Sequence, residues 1–274
     1  MAHDHYLPAG LIGGFGLPTS RRRRESRIAA WFRGAPHPVP TTAENVAHAN
    51  KLYTLENPPV GVPADAVDNV WRGLEAALPD AVERLTQNQS RVGDEDILYG
   101  YVASTAVRHP TLDKLADLHG LEIHGKDHLQ VVRLDMLLNT LTYVRSLRWR
   151  VLISPPEADR FLLSDNGFIY VSQGTDWPSH GIVVPVAPRT ALLGFMYHPE
   201  RQRQAPNGFL ERLHLVPSWV RFLNAATRHT APYVTIGHPD DVAMMESLEP
   251  PIEVRVNQHG PYRSGVHELF EDVG

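Results

Sequence analysis

Apolar positions in the first half of the chain recur at helical steps. From Ala64 to about Ser90, Val67, Val70, Trp71, Leu74, Leu78, Val82 and Leu85 follow one another at three- and four-residue intervals, which predicts a helix with one apolar face. Pro79 lies inside it and predicts a kink or break there. A second helix is expected over Asp94 to Val107, with Ile97, Leu98, Tyr101, Val102 and Thr105 on one face. Pro110 biases His109 away from helical geometry and turns the chain. Leu112 to Leu118 and Asp127 to Val144 carry two more helical patterns, the latter periodic through Val131, Leu134, Leu138, Leu141 and Val144. Ahead of these, Arg27 to Arg33 predicts a strand ended by the breaker cluster Gly34 to Pro40. Thr41 or Thr42 is then placed to cap a short helix over Ala43 to Ala49, followed by a short extended piece, Leu52-Tyr53-Thr54. Asn57 to Pro63 is the best linker candidate in this half.

The pattern changes at Trp149. Arg150 to Ser154, Phe161 to Ser164, Phe168 to Val171, Ile182 to Val186 and Ala191 to Phe195 are short apolar or β-rich runs separated by Pro, Gly, Asp and Asn, which predicts a mainly antiparallel sheet. A last helix near Ser218 to Arg228 and a strand at Tyr233 to Ile236 follow, and the tail after Glu249 is polar and proline-rich. The expected fold class is therefore α+β, with a helical N-terminal half packed on a sheet from the C-terminal half. It is read as a single domain over 1–274: a mostly helical part at 1–148, a sheet-rich part at 149–248 and an extended tail at 249–274.

Composition narrows the function classes. With 274 residues, 42% hydrophobic and 21% charged, the chain can bury a sizeable core. A net charge of -5 argues against holding nucleic acid by overall attraction. The absence of cysteine excludes disulfides, thiolate metal sites and a cysteine nucleophile. No basic leader with an apolar core opens the chain and no stretch approaches a membrane span, so the expected compartment is the cytoplasm and no membrane partner is expected. Walker A, GxGxxG, HExxH and GxSxG patterns are all missing, which removes the usual nucleotide, dinucleotide, zinc-peptidase and serine-hydrolase readings.

Candidate chemistry centres on Ser164-Asp165-Asn166. With Gly167 it makes a good hairpin turn, because Asn tolerates left-handed geometry and Gly supplies positive φ. The functional alternative is that Asp165 orients a histidine or holds a metal while Asn166 donates to a developing negative charge. His3 and His5 would share one face of a strand and supply two metal ligands, but no carboxylate cluster accompanies them, so metal-free chemistry ranks higher. His124 and His128 share a face if helical. Arg108 ends a predicted helix, where a cation suits the dipole and a guanidinium suits an anion. Arg21 to Arg24 read as a solvated run in an exposed loop, with a phosphate grip as the alternative. Trp149 is expected in the core, and Asn224, in an apolar helix, needs buried partners.

These pieces fall into one pattern. His5-Tyr6-Leu7-Pro8 with Phe15, Tyr53-Thr54, Arg108-His109-Pro110, Phe161-Leu162-Leu163-Ser164-Asp165-Asn166, Val184-Pro185-Val186-Ala187-Pro188 with Leu192, and Leu223-Asn224 occur in an order that resembles the family known as domain of unknown function 4238. Ala9 and Gly13 stand where that family usually has a polar residue and an arginine, and Gly167 replaces its proline after Asp-Asn. The resemblance implies that His5, Arg108, Asp165, Asn166 and Asn224 converge. It supplies no activity.

The working expectation is a hydrolase-type enzyme, metal-independent or weakly metal-dependent, acting on a small anionic, phosphoester or amide substrate. In it His5 is the general base, Asp165 orients it or holds an ion, and Asn166 with Arg108 stabilises an anionic transition state. Tyr6 and Asn224 are the expected substrate contacts. No cofactor is assigned, and a divalent metal stays open. A non-catalytic domain binding a small molecule or protein is the first alternative, and a nuclease-like defence protein gripping nucleic acid with Arg21 to Arg24 the second.

Overall fold

The computed structural model describes residues 3–19, 22–113, 122–172, 180–195, 211–250, 255–257 and 260–262. Strand β1 (His3–His5) and a short helix α1 (Ala9–Gly13) open the chain, and a 3-10 turn, Arg23–Glu25, precedes strands β2 (Arg27–Phe32), β3 (Val39–Thr42) and β4 (His48–Asn50). Helices α2 (Ala66–Thr86), α3 (Asp94–Arg108) and α4 (Gly125–Ser146) follow. Then come β5 (Arg148–Ile153), β6 (Leu163–Ser164), β7 (Ile169–Ser172), β8 (His180–Ala187), β9 (Thr190–Phe195) and β10 (Glu211–His214). Helix α5 (Pro217–Thr230), β11 (Val234–Gly237), a short α6 (Val242–Glu246) and the ribbon β12 (Arg255–Asn257) and β13 (Gly260–Tyr262) complete the described elements. The protein is thus mixed α+β, with its longest helices in the N-terminal half.

The strands form two main sheets rather than one. A five-stranded sheet runs β10-β5-β9-β8-β7, antiparallel except for the β10–β5 pair, and a four-stranded antiparallel sheet runs β3-β2-β11-β6. The second sheet joins N-terminal β2 and β3 to C-terminal β11 and β6, so the first fifty residues are more strand-rich than expected. Register shows why each strand sits where it does. Trp149 faces Gly194 across β5 and β9, and a Cβ at Gly194 would lie 2.6 Å from the indole, so the missing side chain makes room for the buried tryptophan.

Several local expectations are corrected. Pro79 does not end α2, which continues through to Thr86; a proline there only leaves the Glu75 carbonyl without an N–H from position 79. The expected helix over Ala43 to Ala49 is a single 3-10 turn, Ala43–Asn45, followed by β4; its Thr42 hydroxyl accepts from Asn45 Nδ2 instead of capping the backbone. The expected extended piece Leu52-Tyr53-Thr54 is not a strand: Leu52 and Tyr53 lie in a turn and Thr54 follows it. The 57–63 segment is exposed, and the chain entering it is tied to α4, because the Glu56 and Asn57 N–H groups donate to the Asp127 carboxylate at 2.6 and 2.7 Å. Most of the 112–118 pattern lies outside the described residues.

Helix α4 departs most from its apolar pattern. Val131 and Leu138 are exposed, whereas Gln130 and Arg133 are buried. The reason is capping: Arg133 Nη1 donates to the carbonyls of Val107 and His109, which are left over where α3 ends, and Gln130 Nε2 donates to Leu52 O at 3.0 Å. Satisfying α3's terminus outweighs burying two aliphatic side chains.

Candidate functional site

Two polar centres emerge. The first is an open cleft of about 720 Å³ at the N-terminal segment, lined by His5, Arg22, Arg23, Arg24, Glu44, Arg72 and Glu75 among others. Pairing of β1 with β4 sets His5 opposite His48, and Tyr6 N–H donates to Ala47 O at 3.0 Å, which fixes the strand's end. The backbone of the arginine run is pressed against α1: an added Cβ at Gly13 would lie 1.8 Å from the Arg23 carbonyl oxygen. Only glycine admits that approach. The position where the resemblance expects an arginine side chain is thus filled by the arginine run itself.

His5 is partly buried, and its Nε2 meets the Glu44 carbonyl at 3.2 Å. A carbonyl only accepts, so Nε2 carries the proton and Nδ1 holds the lone pair. Burial is the main cause that lowers its pKa to about 4; the Glu44 hydrogen bond opposes this, and the positive charges of Arg108 and Arg24 reinforce it. At neutral pH the imidazole is therefore an uncharged base. Around it the arginines are tethered by exposed or half-buried carboxylates: Arg24 to Glu44 at 3.1 Å, Arg23 to Glu83 at 2.8 Å, Arg72 to Asp68 at 2.8 Å. Ion pairs of this exposure are each worth roughly 0–1 kcal/mol, so an incoming anion can exchange with them.

Arg108 stands under this cleft, not in it. Its guanidinium is almost wholly buried, lies 5.2 Å from the Trp71 ring, and through Nη2 holds both the His5 carbonyl and the Glu75 carboxylate. Its Nη1 makes no hydrogen bond among the described residues. The residue therefore positions the His5 backbone and Glu75.

The second centre is buried. Asp165 accepts the Tyr233 N–H with both carboxylate oxygens, at 3.1 and 3.3 Å, and meets His109 Nε2 at 3.5 Å. The other ring nitrogen, Nδ1, accepts from Thr111 N–H at 3.3 Å and lies 2.7 Å from its hydroxyl. His109 is stacked on Tyr233 and meets Tyr6 edge-on, at 5.5 and 5.0 Å between ring centres. Tyr6 is buried, and its phenol pKa is raised, first by burial and then by Asp165.

The structure thus joins Arg108 to His5 and Asp165 to His109, and gives Asp165 no hydrogen bond to His5 among the described residues. Asn166 accepts the Ser164 hydroxyl inside its own turn, closed by Gly167 N–H on Ser164 O at 2.9 Å. That turn is not a hairpin: β6 pairs with β11 and β7 with β8, so it carries the chain from one main sheet to the other. Gly167 has φ +81, which proline cannot adopt, and a Cβ there would lie 2.7 Å from Thr105. Asn224 is a clip, accepting from Leu162 N–H and donating to Arg160 O at 2.9 and 2.7 Å. Of the histidine pairs, His128 Nδ1 accepts the His124 N–H at 3.0 Å at the start of α4, and the His3 side chain and Arg21 lie outside the described residues. Among the described residues no group of three or more His, Asp or Glu is placed to hold a metal ion, and no helix is long and apolar enough to cross a membrane.

Arg72, Glu75 and Glu44 had no signal in the linear sequence, since they reach the cleft only through the fold. His109 did have one, flanked by Arg108 and Pro110 in a motif already singled out. A family model described as a protein of unknown function (DUF4238) matches residues 5–241. No curated protein and no solved structure matches the chain.

Proposed function

We propose that this chain, which belongs to the DUF4238 family, is a hydrolase-type enzyme acting at the His5 cleft on a substrate with a small anionic group, a phosphoester fitting better than an amide. The observation that carries this reading is a histidine lining one open cleft together with four arginines. An imidazole with a free lone pair can take a proton from water while guanidiniums neutralise the phosphoryl oxygens, and the negative charge of a bound anion beside it raises its basicity from the depressed value of the empty site. In the reaction water attacks phosphorus and passes a proton to His5 Nδ1. The bond to the ester oxygen breaks, and the leaving alkoxide takes a proton back, giving alcohol and inorganic phosphate. Arg22, Arg23, Arg24 and Arg72 hold the anion; Arg108 is a positioning residue for His5 and Glu75. Asp165, Asn166, Asn224 and Tyr6, earlier assigned to chemistry or substrate, support the scaffold in this reading.

The mixture of arginines and carboxylates around the cleft favours a small anion over a long nucleic-acid backbone, which needs an extended surface of one sign. The test is turnover of p-nitrophenyl phosphate by the purified chain. Substituting His5→Gln, which can keep a hydrogen bond to Glu44, is expected to lower kcat by about 10²–10⁴-fold with an unchanged unfolding midpoint. Phosphate binding with no turnover in wild type would instead support the non-catalytic binding reading.

A further inference from the structure

We infer that the substrate of this site is bipartite, an anionic group joined to an apolar chain or ring, because the cleft continues into an apolar groove. This rests on the anion-cleft reading above and extends it to the rest of the substrate.

The second cavity, about 310 Å³, is lined by Leu11, Gly14, Pro18, Pro79, Val82 and Ala187 among others. It shares Arg23 with the first. Both cavities also use the same two helices: Gly10 of α1 with Arg72, Glu75 and Ala76 of α2 at the polar end, and Leu11 and Gly13 of α1 with Pro79, Val82 and Thr86 of α2 at the apolar end. The α2 positions recur at three- and four-residue steps, so they form one stripe, and from Arg72 to Thr86 that stripe runs ~21 Å at 1.5 Å per residue. At the junction Arg23 and Glu83 are 2.8 Å apart and both are about half exposed, a pair weak enough to open when Arg23 turns to a bound anion.

The geometry sorts chemistry by position. Four arginines and two glutamates line the His5 end, whereas beyond Arg23 most of the walls are glycines, prolines and aliphatic side chains, with Ser26, Glu83, Thr86 and Gln87 as the polar members. An anion alone would leave the groove's accessible apolar edge, Pro18, Pro79 and Ala187, in contact with water; a substrate with an alkyl or aryl group attached to the same phosphate covers it.

The experiment is calorimetric titration of inorganic phosphate, methyl phosphate and hexyl phosphate at constant ionic strength into the wild-type chain and two groove-filling variants, Thr86→Trp and Ala187→Phe. Hexyl phosphate is expected to bind wild type at least about tenfold more tightly than methyl phosphate, and the variants to reduce that ratio below about twofold while keeping methyl phosphate affinity. Retained methyl phosphate binding shows that the variants are folded. Equal affinities of the two esters in wild type overturn the inference, as does a hexyl preference that survives both substitutions. Failure of wild type to bind either inorganic or methyl phosphate would instead overturn the anion-cleft reading on which it rests.

Discussion

The His5 cleft and the Asp165–His109 centre have similar ingredients, a histidine, carboxylates and neighbouring aromatic or cationic groups, yet they are built for opposite ends. In the cleft the charged groups are exposed and held by ion pairs that cost little to exchange. Among the described residues the Asp165 carboxylate is held by the Tyr233 backbone and the His109 ring, with the side chain fully buried. A polar group satisfied by its own backbone specifies structure, whereas one whose partners can be traded is available to a ligand. Residue type alone does not separate the two; solvent access and the partner's replaceability do.

The sharpest way to break this contrast is Asp165→Ala. Removing a fully buried carboxylate leaves the Tyr233 N–H and His109 without their acceptor, and about 3–5 kcal/mol of stability is expected to go. Chemical denaturation measures that, and activity per folded molecule should be unchanged. A stable but inactive variant would move the chemistry to Asp165.

A smaller effect concerns pH. His5 has a pKa of about 4 in the folded chain, chiefly through burial, against the ordinary value of 6.5 when unfolded. Between those values the unfolded state binds more protons, so the stability contributed by neutral His5 is fully present above about pH 6.5 and is lost as pH falls toward 4. On the order of 1–3 kcal/mol is expected over that window. Comparing the pH dependence of unfolding with that of His5→Gln isolates the contribution, because the carboxylates that titrate in the same range are common to both. Identical slopes would show that His5 titrates normally.

The smallest effect on stability should come from Arg24→Ala, which breaks one exposed ion pair with Glu44. Its unfolding free energy is expected to change by less than about 1 kcal/mol, while affinity for inorganic phosphate falls severalfold. An unchanged phosphate affinity would remove Arg24 from the anion site.

Much of the fold could be read directly from periodicity. Helices α2 and α3 and the strands β5, β8 and β9 follow the spacing of their apolar residues closely, because local pattern and burial agree there. Helix α4 shows where such reading stops: Arg133 turns inward to cap α3, a demand made by a helix terminus twenty-four residues away and invisible in α4's own pattern. The candidate site divides in the same way. His5 and Arg108 sit in recognisable motifs and do meet, through the His5 carbonyl. The cleft's other members come from the arginine run, the 3-10 turn and the middle of α2, which only tertiary packing assembles. The sequence pairs Asp165 with His5, whereas in the structure the histidine beside it is His109, brought there where the chain leaves α3 ahead of Pro110.

The most direct test of the central claim, that the ligand-accessible histidine is His5 and not His109, is a titration of inorganic phosphate into the chain followed by NMR of the imidazole side chains. The account predicts that the His5 resonances shift saturably while those of His109 stay in place, and that Arg72→Ala weakens the response. A saturable shift at His109 with His5 unmoved would contradict it.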